Sequence, residues 1–105
     1  MPKKHIADRD RFSIIQPHMD KCYICRSTNI HIHEMIPGTA NRQKCKDYGL
    51  CVALCPRHHS IAHENTELSM YLKCKAQRAF EAEYGHEKFM ETFHHNYLGG
   101  EDGTR

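Results

Sequence analysis

CPRHHSIAH, residues 55–63, sets one cysteine and three histidines within nine positions. Proline is favoured at the first helical position, because the N–H it lacks would have had no partner there. A helix is therefore expected to start near Pro56. On that helix His59 and His63 lie four apart, share a face and can reach a single ion. His58 and His59 are neighbours, separated by about 100° around the helix axis. One of them can face one metal while the other faces a second.

Working outward, Cys55-x2-His58 is half of a ligand set whose other half, Cys22-x2-Cys25, lies upstream in DKCYICRSTN. Zinc takes four N/S ligands in a tetrahedron, and two x2 turns supply them without straining the chain. The spacing assigns Cys22, Cys25, Cys55 and His58 to a structural zinc. A lone CxxC would leave thiol redox chemistry as a rival. The second half-site, and the lack of a βαβ context, argue against that reading. Cys51 falls in an apolar run and reads as a buried thiol. Cys45, in a basic stretch, and Cys74, on a helix, have no x2 partner. All three are expected to be non-ligands.

Between the half-sites, NIHIHEMIP (29–37) alternates, with Ile30, Ile32, Glu34 and Ile36 on one side and His31, His33 and Met35 on the other. That is a strand pattern, stopped by Pro37-Gly38. GLCVALC (49–55) is an apolar run of strand length and reads as a second, better buried strand. GTANRQKCKDY (38–48) between them reads as a polar, basic loop. FSIIQ (12–16), before Pro17, reads as a short strand or strand edge. Thr66 is the expected N-cap of a helix carrying the stripe Leu68, Leu72, Ala76, Ala79 and Phe80, ended by Gly85. A shorter amphipathic turn with Phe89, Met90 and Phe93 follows.

At 105 residues and 12.3 kDa the chain is one small domain. Apolar residues are 39% of it and there is no Trp, against the ~45–50% apolar content usual for globular domains. So thin a core needs a staple, and bound metal can provide one. MPKKHIADRDRF has no apolar signal region, and no apolar run approaches the ~20 residues that span a bilayer. A cytoplasmic protein is expected, in which paired cysteines more often bind metal than form disulfides. Net charge is +2 and the sequence pI about 8.2, below the ~9 of a wholly basic nucleic-acid binder, so any such contact would fall to a local patch. The expected organisation is a flexible arm (1–11), a single domain (12–98) and a flexible tail (99–105). The domain divides into a core over 20–65 and a helical appendix over 66–98.

The stretches CYIC, IHEMIPGTANR, YGLCVALCPRHH and the final His63 together resemble the HNH nucleases, of the ββα-metal (His-Me finger) group, especially a small phage-type version. The likeness covers roughly residues 20 to 65 and extends in pattern through AFEAEYGHEKFMETFHHNYL. It implies an α+β fold, a zinc-stapled ββα-metal core with a C-terminal helical appendix. It also implies metal-dependent hydrolysis of nucleic-acid phosphodiesters, DNA being the expected partner, in the cytoplasm of a bacterial host. His33-Glu34 stands where the family has a metal ligand followed by a general base, and His59 and His63 stand where it ligates the catalytic metal. His33, His59 and His63 are thus the implied holders of a catalytic divalent ion: Mg, Mn, Ni or Zn. Glu34 departs from the usual histidine base, and a slipped register would make His33 the base instead. Tyr48-Gly49-Leu50 replaces the family's middle asparagine, with Asn41 the nearest substitute. Arg42, after the Gly-rich turn, is expected to contact phosphate. These departures keep open an alternative, a non-catalytic zinc-ribbon module that binds DNA or protein. Neither residues nor resemblance imply an oligomeric state.

Overall fold

The structure, a computed structural model, describes residues 5–64 and 66–99. It is α+β, with a two-stranded antiparallel sheet and four helices. Strand β1 (His31–Glu34) pairs with β2 (Cys51–Leu54), His31 opposite Leu54 and His33 opposite Val52. Helix α1 (Thr39–Tyr48) lies between the strands in sequence; α2 (Pro56–Ala62), α3 (Glu67–Tyr84) and α4 (His86–Phe93) follow β2.

Every residue of β2 is buried, as its continuous apolar run dictates, while β1 alternates and buries His33 but exposes His31. The core gathers Ile36, Leu50, Val52 and Leu54 from the hairpin with Leu72, Ala76 and Phe80 from α3. Phe80 sits at its aromatic end, with ring centroids 4.9 Å from Tyr48, 5.4 Å from Phe89 and 5.7 Å from Phe93. The helical appendix therefore covers the sheet. Thr66 caps α3 as expected, its hydroxyl accepting from the Ser69 N–H at 3.1 Å.

Two expected elements differ. Residues 38–48 are not a loop: from Thr39 onward they form α1. Half of its residues (Ala40, Arg42, Gln43, Lys44 and Lys46) are good helix formers, but of the ten only Cys45 is buried, so no apolar stripe announces it. Lys44, on this helix, donates to the Thr92 carbonyl at 2.7 Å and ties α1 to the end of α4. FSIIQ is not a strand either. The Ser13 hydroxyl accepts from the Ile15 and Gln16 N–H groups at 3.0 and 2.8 Å, diverting them from a sheet ladder. The segment instead flanks β2, where the Gln16 side-chain carbonyl accepts from the Ala53 N–H at 2.7 Å.

Residues of the N-terminal arm lie along α1. The Ile6 N–H donates to Asp47 at 2.9 Å, and the Gln43 amide donates to the Ile6 carbonyl at 3.0 Å. Within the C-terminal tail, residues 100–105 fall outside the described residues.

Gly49 ends α1 in the left-handed region, at φ 73°, and a Cβ there would lie 2.5 Å from the Phe12 ring. Left-handed backbone costs a residue with a side chain ~1–2 kcal/mol, before any displacement of Phe12. Gly49→Ala is expected to lower thermal stability by about 2 kcal/mol, on the order of 10 °C for a domain this size. An unchanged melting temperature would contradict this packing.

Candidate metal centres

The two x2 turns have the same construction. The Cys25 N–H donates to the Cys22 sulfur, and the His58 N–H to the Cys55 sulfur, both at 3.5 Å. Arg26 follows the first turn at φ 70°, a left-handed position that lets the chain reverse. There the Arg26 N–H reaches the Cys22 carbonyl and the Cys22 N–H the Ser27 carbonyl, both at 2.8 Å. Cys55 closes β2 and caps α2 in one residue. Because the Tyr23 N–H donates to the Ala53 carbonyl at 2.8 Å, the first turn is held against β2.

Together the turns bring the Cys22, Cys25 and Cys55 sulfurs and a His58 ring nitrogen within 4.8 Å of one another. Cys25 and Cys55 sulfurs lie 3.7 Å apart, and His58 Nδ1 lies 3.2 Å from Cys55 and 3.7 Å from Cys22. Zinc–sulfur bonds of ~2.3 Å at tetrahedral angles would set neighbouring sulfurs ~3.8 Å apart, with sulfur–nitrogen edges somewhat shorter. The four residues fit a structural metal such as zinc. Burial works against a charged Cys22, but backbone hydrogen bonds from Cys25, Cys55 and Ile24 outweigh it and hold the thiol down at about 6. Cys45 and Cys51 behave oppositely, their thiols pushed up to about 12 by burial. Among the described residues neither belongs to a metal-sized cluster, and nor does Cys74, whose thiol lies 3.6 Å from the Tyr97 carbonyl.

His59 turns away from its neighbour His58, as the helical rotation requires. It joins His63 and His33 in a second cluster, again with ligand atoms within 4.8 Å. The Nε2 atoms of His59 and His63 are 3.1 Å apart, inside the ~3.0–3.4 Å range expected for two nitrogens on one ion at ~2.0–2.1 Å bonds. At that distance either a proton or a cation must lie between the two lone pairs. His33 stands edge-on to both rings, with centroids at 5.3 and 5.5 Å. Burial, then the nearby His59 and His63, push its pKa down to about 4. It is therefore neutral at neutral pH, the form that ligates. Exposed His31, two residues back on the same strand face, stacks on His59 at 5.6 Å.

Glu34 follows His33 on β1 and lines the same cleft. Its carboxylate is paired with Arg11 at 2.6 Å and faces Arg42 at 3.7 Å. Arg11 comes from the N-terminal arm and is largely buried, whereas the Arg42 side chain is 59% exposed. Asn41 is elsewhere: its amide donates to the Pro37 carbonyl at 2.7 Å, bracing the turn into α1. Beside the imidazoles opens a cleft of about 490 Å³, lined among others by His33, Glu34, Arg42, His63, Ser69 and Lys73. No sequence signal marks Arg11, Ser69 or Lys73. Arg11 sits in a charged segment with no motif, and the other two occupy single polar positions on an ordinary amphipathic helix.

No protein-family model matches the chain, and no curated protein or solved structure does so either. Of the described residues, no helix is long and apolar enough to cross a membrane.

Proposed function

We propose that the protein is a metal-dependent endonuclease that hydrolyses phosphodiester bonds in DNA, built on a zinc-stapled ββα-metal core of HNH type. The observation that carries this reading is the contrast between the two clusters. Cys22, Cys25, Cys55 and His58 make a closed, four-ligand, sulfur-rich set, the pattern of a structural site. His33, His59 and His63 offer three nitrogen ligands at the mouth of a cleft, the pattern of a catalytic site with positions left for water and substrate. A divalent ion bound there would supply Lewis acidity, polarising a phosphate oxygen and lowering the pKa of a bound water.

The chain's own residues supply the rest. His33 is neutral and fixed by burial, His59 and His63 come from one helical face, and the three hold the ion. Glu34, on the cleft wall, accepts the proton of the attacking water, oriented by Arg11. Arg42, exposed and only loosely paired, turns to the backbone phosphate beside the scissile one. The water oxygen bonds to phosphorus as the P–O3′ bond breaks, and the departing O3′ takes a proton from solvent, leaving a 5′-phosphate and a 3′-hydroxyl.

The test is incubation of the zinc-loaded protein with supercoiled plasmid in Mg, Mn, Ni or Zn. Nicking is expected with at least one ion, and Glu34→Gln should slow it by about 10²–10³-fold, the usual contribution of a positioned acid or base. A binding module, the alternative kept open by Glu34 and the missing middle asparagine, would retard DNA without cutting it in any of these ions.

A further inference from the structure

The wall of the cleft opposite the hairpin is made by the first turns of α3, and its polarity is unexplained by packing. Ser69 lies on the core-facing side of α3 with Leu72, Ala76 and Phe80 and is only 4% exposed. An apolar residue would ordinarily fill such a position, yet a serine lines the cleft. Lys73 is one turn further on, at i+4, and so shares that face. Lys73 also lines the cleft and has no carboxylate partner among the described residues; its ammonium lies 5.8 Å from the centre of the Tyr97 ring. Across the cleft stands Arg42. Of the two carboxylates in the lining, Glu34 is matched by Arg11 and Glu64 is exposed. Two cationic side chains and a buried serine thus line a space of about 490 Å³, within the ~300–1,000 Å³ range of small-ligand pockets.

We infer that Ser69, Lys73 and Arg42 form a second phosphate subsite, which holds the phosphate next to the one at the histidine cluster. The ligand is a nucleotide unit with a phosphate at each end, its sugar lying between the two anchors. Ser69 and Lys73 are positioning residues, supplied by the helix that also covers the core. Their service to hydrolysis rests on the nuclease reading, whereas the subsite itself requires only that nucleotides bind.

The experiment uses the zinc-loaded full chain, titrated with thymidine 3′,5′-bisphosphate and, separately, with inorganic phosphate, followed by calorimetry or amide chemical shifts. The bisphosphate should bind at least about tenfold tighter than phosphate. Lys73→Gln and Ser69→Ala should each weaken it by about tenfold, and Lys73→Arg should restore most of the loss. Lys88→Gln, which removes one exposed charge from α4, controls for net charge and should change binding less than about twofold. Melting temperatures confirm that each variant is folded. The subsite is wrong if Lys73→Gln and Ser69→Ala behave like Lys88→Gln, or if phosphate binds as well as the bisphosphate. Bisphosphate binding that depends on Lys73, with no plasmid cleavage in any ion, would overturn the nuclease reading and leave the subsite standing. Cleavage with Lys73-independent binding would do the reverse.

Discussion

Cys22→Ser is expected to leave the chain unfolded, or folded only weakly and without zinc. Cys22 is almost fully buried within the core cluster, and the turn it belongs to joins the sheet chiefly through the Tyr23–Ala53 hydrogen bond and the shared ligand set. A structural zinc contributes ~10–16 kcal/mol in small metallodomains, while whole domains are stable by only ~5–15 kcal/mol. Serine keeps the size of the residue but provides no thiolate. If losing one ligand of four releases the zinc, the stability removed is comparable with the whole. Far-UV circular dichroism and zinc content on the purified variant check this. A variant that keeps both its zinc and its melting temperature would show that the ligand set is misassigned. Chelation of the wild type should have the same consequence, reversed by adding zinc.

If the proposed nuclease reading holds, His59→Ala should abolish cleavage by a different route, with a loss of about 10³-fold or more while the fold is kept. An ion that stabilises the transition state by several kcal/mol gives a factor of that size, since each 1.36 kcal/mol is tenfold. Stability is not the cause, because His59 lies in the middle of α2, is not one of the four residues of the sulfur-rich cluster, and alanine is the better helix former. The neighbouring His58→Ala is the informative partner, since it should resemble Cys22→Ser instead. If both histidine variants lost zinc, or neither lost activity, the division of labour between adjacent residues would be wrong. Rates of plasmid nicking, measured beside zinc content and thermal melts, separate these outcomes.

What was legible in the sequence was local. The x2 spacings and the i, i+4 histidine pair are fixed by turn and helix geometry, so Cys22, Cys25, Cys55 and His58 assemble as spacing alone suggests. His33 joins His59 and His63 for a related reason. The buried run of β2 sets the pairing, and alternation along β1 then turns His33 inward. Helix α1 was illegible because Cys45 is its one buried side chain, which leaves no periodic stripe, and the polar residues around it read as a loop. FSIIQ failed for the opposite reason, since its β-branched residues look extended while Ser13 takes the amides a ladder would need. The pairing of Arg11 with Glu34 spans the N-terminal arm and the first strand, and no spacing rule reaches that far. The same holds for Asn41, whose amide braces the turn at Pro37 and does not line the cleft.

Metal stoichiometry in the wild type and in His59→Ala tests the two-centre reading of CPRHHSIAH most directly. Each protein, loaded with zinc and freed of excess, is titrated with Mn or Ni and assayed by elemental mass spectrometry. The wild type should retain one tightly held zinc and take up one further ion. His59→Ala should retain the zinc and lose the second site. Zinc lost on replacing His59, or a wild type that binds no second ion, would contradict the assignment of adjacent histidines to separate metals.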